Sequence, residues 1–191
     1  MELITRTIIR ERDGREVPYK FQTYDFIFHP RAASKPTFER MRSFLLEAFM
    51  YGPPRNPKSP SDERGLVLEV KPSIGSVEDL CVKASAANYH GRGAGQHQCV
   101  QDYFMMNDQY TVATEVPVWD ADYTGSIDIL RYFPEVDTIQ ILDFKPNAKK
   151  EKHVSGQLFK YAELFHDNAG IPFWNIELLY FDDTDAYQII F

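Results

Sequence analysis

Hydrophobic positions along the chain switch between a two-residue and a three-to-four-residue period, and each switch marks an element. Leu3–Arg10 reads as a strand. It is followed by Asp13-Gly14, a dipeptide favoured in tight hairpin turns, and Val17–Phe28 reads as the returning strand. Ser34 and Pro36 signal a helix start. Phe38, Met41, Leu45 and Phe49 recur behind them at helical spacing, which predicts an amphipathic helix over Thr37–Met50. The proline-rich segment 52–61 is the clearest break and reads as a stiff exposed loop.

Leu66–Val70 is a short strand candidate. Ser76 with Asp79 resembles a capping box opening a helix over Val77, Leu80, Cys81 and Ala84. The glycines of 91–95 lack the spacing and the following Lys-Ser/Thr of a phosphate loop, so they read as a joint before a helix over Gln96–Asn107. The period then becomes strand-like over Thr111–Trp119, Gly125–Tyr132 and Thr138–Lys145. Ser155 is the expected cap of a helix with Leu158, Tyr161, Ala162 and Phe165 on one face, ended by Gly170. Pro172–Phe181 and Ala186–Phe191 complete the chain as strands around Asp182–Asp185. This order predicts an α/β fold, a mixed central sheet with helices on its faces.

At 191 residues a single domain is the simplest organisation, with residues 1–75 an elaboration on a core of 76–191. A composition that is 43% hydrophobic, 26% charged and 14% aromatic excludes a disordered chain. The first residues carry charges throughout and lack the apolar stretch of a secretory signal. No run approaches the roughly 20 apolar residues that span a bilayer. Cys81 and Cys99 are too few for a disulfide framework and are not spaced as a metal knuckle, so both are expected as buried thiols in the cytoplasm. A net charge of −7 disfavours a protein that coats nucleic acid nonspecifically. A local basic rim remains available in Lys145, Lys149, Lys150, Lys152 and His153, although such a run on its own reads as a solvated loop.

The candidate chemistry lies in two short strings, Gly125-Ser-Ile-Asp128 and Asp143-Phe-Lys145. If Pro134–Asp137 is a four-residue loop, Phe133 pairs with Thr138 and the same register sets Asp128 opposite Asp143. Lys145 shares the face of Asp143. Opposed residues of an antiparallel pair are roughly 4.5–5.5 Å apart at Cβ, so the two carboxylates repel each other. A divalent cation turns that repulsion into ligation, and hard oxygen ligands suit Mg²⁺ or Mn²⁺. The lysine is placed to position a water or to stabilise charge developing on a phosphate. Gln157 and Tyr161, four apart, share a helix face. Tyr161 also falls on the apolar side of that helix, where a core role is the simpler reading. Glu115 lies out of phase with Val112, Val116 and Val118, which places it on an exposed strand face.

The order Gly93-Ala-Gly-Gln-His97, Glu115-Val-Pro-Val, Gly125-Ser-Ile-Asp128, Asp143-Phe-Lys145 and Gln157-Leu-Phe-Lys-Tyr161 resembles the PD-(D/E)XK nuclease superfamily. Within it the chain is most similar to the RecB-like branch, which includes CRISPR-associated exonucleases. The resemblance covers about residues 91–181. It implies a restriction-endonuclease-like core and a DNA-cleaving hydrolase. His97, Asp128 and Asp143 match the metal ligands, with the Phe144 carbonyl as a further oxygen, and Lys145 matches the catalytic lysine. Gln157 and Tyr161 match helix residues that line the site and touch the nucleic-acid strand, with Lys149, Lys150 and Lys152 beside them; Glu115 supports the site. The iron–sulfur relatives need four cysteines, mostly near the C-terminus, and this chain has none after Cys99, so no cluster is expected. No helicase motif accompanies the domain, so unwinding would fall to a helicase or a repair or recombination partner. Two other readings are a catalytically inactive nucleic-acid-binding or assembly protein on the same fold, and an α/β interaction protein unconnected with nucleic acid. Endo- or exonucleolytic action, polarity and DNA against RNA are open at this stage.

Overall fold

The first alternating runs close into a hairpin. The computed structural model describes residues 2–12, 15–28, 35–53, 68–73, 76–86, 96–151 and 153–191. β1 (Leu3–Arg12) and β2 (Arg15–Tyr24) pair antiparallel from Leu3 against Tyr24 to Arg12 against Arg15. The expected Asp13-Gly14 turn lies outside the described residues. β2 stops short of the predicted Phe28 because the chain winds into a 3-10 turn at Asp25–Phe28. That turn is tied back to the start of β1, where Asp25 N–H donates to the Glu2 carbonyl and Glu2 N–H to Asp25 Oδ1.

Helix α1 (Pro36–Tyr51) begins at its proline, which suits a first turn because the missing N–H has no partner there anyway. Lys35 is the residue before it, and the expected start signal at Ser34 lies outside the described residues. Thr37, Phe38, Met41, Phe44, Leu45 and Ala48 make its buried stripe. β3 (Glu69–Pro72) overlaps the expected Leu66–Val70 at Glu69 and Val70 and runs on to Pro72, while residues 66 and 67 lie outside the described residues. Its partner sets its limits, since its four residues match Tyr187–Ile190, and a proline is tolerated at this edge. α2 (Ser76–Ala86) and α3 (Gln96–Asn107) follow; the glycine joint between them lies outside the described residues.

Three antiparallel strands come next, β4 (Thr111–Trp119), β5 (Thr124–Phe133) and β6 (Thr138–Phe144). Pro146 ends β6 abruptly, although Lys145 N–H still donates to the Phe181 carbonyl. α4 (Val154–Ala169) carries the chain over to β7 (Ile176–Phe181), which pairs parallel with β6. The cap of α4 differs from expectation: the helix starts one residue before Ser155, and Ser155 is buried inside its first turn, accepting a bond from Leu68 N–H. Its C-terminus is as expected, with Gly170 left-handed at φ 68° and its N–H on the His166 carbonyl. The predicted strand from Pro172 starts only at Ile176, where a partner on β6 (Ile139) becomes available; Phe173–Asn175 is a 3-10 turn. β8 (Ala186–Ile190) closes the chain.

Among the described residues eight strands form one mixed sheet in the order β1-β2-β4-β5-β6-β7-β8-β3. Neighbouring residues of β6 serve opposite faces. Ile139 and Ile141 pack with Leu158 and Phe165 of α4 and with α1, whereas Leu142 and Phe144 pack with Cys81 of α2 and with Val100 and Phe104 of α3. Cys81 is buried as expected, but Cys99 is only half-buried, being off the apolar stripe of α3. No described helix is long and apolar enough to cross a membrane.

Candidate functional site

Phe133 pairs with Thr138 across Pro134–Asp137, and the ladder runs up to Ile129 against Leu142. The ladder ends there; the same register carried one step further would set Asp128 across from Asp143. Asp137 pins the loop that fixes this register. It adopts φ 54°, accepts from the Tyr132 hydroxyl at 2.8 Å and from Thr37 Oγ1 at 2.9 Å, and its carbonyl accepts from Asn175. At the open end the backbone ladder yields to a side chain, with Phe144 N–H donating to Asp128 Oδ2 at 2.9 Å.

On the other flank Thr114 pairs with Ile129 and Val116 with Ile127, which brings Glu115 level with Asp128. The row across β4, β5 and β6 therefore reads Glu115, Asp128, Asp143. Glu115 is not on the exposed face expected for it. Its backbone is left-handed at φ 52°, and its half-buried carboxylate is clamped by Gln101 Nε2 at 2.8 Å and Ser126 Oγ at 2.6 Å. A non-glycine residue held there is strained and needs surrounding contacts to keep it.

Electrostatically the row is loaded. Asp143 is only 2% exposed, and its Oδ2 lies 2.6 Å from Lys145 Nζ. Apart from that ion pair the oxygen has no hydrogen-bond partner among the described residues. Burial, and then the charges of Asp143 and Glu115, push the Asp128 carboxyl well above the usual carboxylate range, against the opposing pull of Lys145 and Phe144 N–H. Burial on its own would lower Lys145, but Asp143 and Asp128 outweigh it and hold the ammonium charged.

The remaining expected residues approach from two helices. His97, at the start of α3 with its side chain 47% exposed, stands with Nε2 3.6 Å from Asp128 Oδ2 and its ring edge-on to Phe144. On α4, Gln157 Nε2 donates to Tyr161 Oη at 2.7 Å. Tyr161 is buried, as its place on the apolar side of the helix indicated, and burial followed by the Asp143 charge pushes its hydroxyl up to about 12. Lys149 and Lys150 are exposed in a 3-10 turn, Ala148–Lys150, just past Lys145; Lys152 lies outside the described residues.

Gln101 and Ser126 were not among the expected site residues, yet both had a signal. Gln101 is one helical turn after His97, and Ser126 lies two residues before Asp128 in the same strand. Among the described residues no group of three or more His, Cys, Asp or Glu side chains stands close enough to hold a metal ion as arranged. Glu115 is engaged by its clamp and Asp143 by Lys145. Comparison with protein-family models, with curated proteins and with solved structures returns no match.

Proposed function

We propose that the chain is a Mg²⁺- or Mn²⁺-dependent nuclease of the PD-(D/E)XK superfamily, RecB-like branch, hydrolysing phosphodiester bonds in DNA. One observation carries the reading: Asp128 and Asp143 are both buried and near enough that the Asp143 charge helps to raise the Asp128 carboxyl, with Lys145 against Asp143. A fold gains no stability from burying two like charges together, so the arrangement points to a ligand. The path from α3 through the β4–β5–β6 meander and α4 to a parallel β7 supports a restriction-endonuclease-like core, with β1, β2, α1 and β3 added around it.

A hard divalent cation fits the donors present. The repulsion that raises Asp128, and the Asp143 oxygen served only by an ion pair, are both relieved by a positive ion. Asp128 and Asp143 would hold it, with the Phe144 carbonyl and His97 as further donors. Bound there, Mg²⁺ or Mn²⁺ supplies positive charge against the phosphate oxygens and the attacking water. Lys145, held protonated, faces the same place and stabilises negative charge as it develops on the phosphate. Asp143 orients that ammonium. Gln157 fixes the Tyr161 hydroxyl, which stays protonated and so can donate toward a phosphate oxygen. Lys149 and Lys150 offer exposed cations along the approach.

Cleavage of linear, circular and single-stranded DNA with Mg²⁺ or Mn²⁺ tests the reading. Asp143→Ala and Lys145→Ala should each lower the rate at least a hundredfold while the proteins remain folded. Equal rates in wild type and variants would mean a contaminant and end the assignment. A second reading is a nucleic-acid-binding protein on the same fold without catalysis. It predicts DNA binding with no cleavage and no rise in melting temperature with Mn²⁺.

A further inference from the structure

His97 is not fixed by its own approach to Asp128. Its Nε2 stands 3.6 Å from Asp128 Oδ2, too far for a hydrogen bond, and its side chain is exposed on the first turn of α3. That turn is also where backbone N–H groups lack partners within the helix. A group that is to share an ion with a buried aspartate needs firmer placement, and the helix behind it must supply it.

Polar contacts tie α3 to the sheet at several places. Gln98 Nε2 reaches Gln22 on β2, the Tyr24 hydroxyl donates to the Met105 carbonyl, and Arg131 pairs with Asp108 just past the helix. Gln101, one turn after His97, makes a different tie. Its Nε2 donates to Glu115 Oε1 at 2.8 Å, and Glu115 Oε2 accepts from Ser126 Oγ at 2.6 Å. Ser126 lies two residues before Asp128 in β5. A continuous hydrogen-bonded bridge therefore joins the helix that carries His97 to the strand that carries Asp128, by way of β4.

This bridge is costly for a fold that needed only to seat a helix on a sheet. Gln101 is 2% exposed and Ser126 8%, and the half-buried carboxylate between them is held by two neutral donors. Withdrawing a carboxylate from water onto neutral donors costs more than packing apolar groups in its place. Val100 and Phe104 of the same helix already seat it that way, in one cluster with Ile129 and Leu142. Hydrogen bonds are directional where apolar contacts are not, so the bridge adds a fixed placement of α3 along the strands. The left-handed backbone at Glu115, φ 52°, is the strain accepted for it.

Resting on the nuclease reading, we propose that Gln101 and Ser126 are positioning residues. Through the Glu115 carboxylate they hold α3 so that His97 and Asp128 can take one divalent cation between them. Breaking the bridge at either end leaves both ion donors in the protein but frees His97 to drift from Asp128, so ion affinity falls while the fold remains.

The test is Mn²⁺ binding without DNA, read from the EPR signal of the free ion, with thermal melts in the absence of the ion showing that each protein is folded. Gln101→Met and Ser126→Ala cut the bridge from α3 and from β5. Each should weaken binding about tenfold, the scale seen when a group that orients a metal ligand is removed. Ser126→Thr keeps the hydroxyl and should bind within about twofold of wild type, as should Asn107→Ala, an exposed change on α3 away from the bridge. In a His97→Ala background neither bridge variant should weaken binding further, because the residue they position is gone. Full affinity in both bridge variants would overturn the proposal. So would an equal loss with and without His97, which would make the clamp a support of the fold or of Asp128 alone. If Gln101→Met does not fold, Ser126→Ala carries the same comparison from the other end. Wild type that binds no Mn²⁺ at millimolar concentration would bring down the nuclease reading together with the bridge, whereas full affinity in the variants overturns the bridge and leaves that reading standing.

Discussion

Lys145 is the residue on which the buried row depends. Asp143 is fully enclosed and its Oδ2 relies on the 2.6 Å ion pair, so deleting the ammonium leaves two facing carboxylates with no cation. Removing one partner of a fully buried pair costs about 3–5 kcal/mol. The Lys145 side chain retains 21% exposure, so the cost of Lys145→Met should be smaller, about 2–3 kcal/mol. In a chain of this size that is a fall in melting temperature of roughly 5–10 °C. Millimolar Mn²⁺ should recover most of it, since the ion takes up the charge balance the lysine provided. Thermal melts with and without the ion decide this; a loss that Mn²⁺ does not restore would mean that the row does not gather a cation. The Phe133–Thr138 pairing and the closeness of Lys145 to Asp143 were legible because loop length and a two-residue period suffice to derive them. The placement of Glu115 was not. Its left-handed backbone breaks the period, and its partners Gln101 and Ser126 come from elements whose packing no local pattern specifies.

At the scale of elements, legibility followed where the deciding interaction lies. α3 and β4 appear at their expected limits, and α4 ends at Gly170, because spacing and caps are local. β7 starts later than its sequence suggested, because a strand begins where a partner does, and its partner Ile139 is far away in sequence. Ser155 looked like a cap but serves the loop before β3 through Leu68 N–H, a contact made only in the folded chain. The Gly170 cap gives a clean prediction. A Cβ there meets nothing within 4 Å, so Gly170→Ala tests backbone conformation alone at φ 68°. It should destabilise by about 1 kcal/mol, with Gly170→Asn recovering part of the loss, as measured by urea unfolding. A neutral alanine would mean that the last turn of α4 can end without a left-handed residue.

Across the whole molecule, the sheet must hold the parallel pair β6 and β7, the one such pair among the described residues, at the end where the candidate site lies. Asp182 is the clasp. Just past β7, its Oδ1 accepts from Thr184 N–H, Asp185 N–H and Thr184 Oγ1, while its Oδ2 accepts from Ala148 N–H at 2.8 Å. The β7–β8 turn is thereby stapled to the segment three residues past Lys145. Burial alone would raise this carboxyl, but the donated bonds outweigh it and hold it below the ordinary range. The sign follows from that depression. The stabilisation is complete above the unfolded value, about pH 4, and is lost as pH falls through the lower folded value. Asp182→Ala should therefore cost roughly 2–3 kcal/mol at pH 7, the scale of a charged acceptor lost to buried donors. The gap between wild type and variant should narrow in acid. Urea unfolding at pH 7, at pH 5 and at the lowest pH where both stay folded measures it. A gap that stays constant into acid would show that the turn is held by shape rather than by the carboxylate charge. On the proposed nuclease reading, the same substitution should also slow DNA cleavage several-fold under conditions where the protein is fully folded, because the segment after Lys145 loses its tie from Ala148 N–H to the β7–β8 turn.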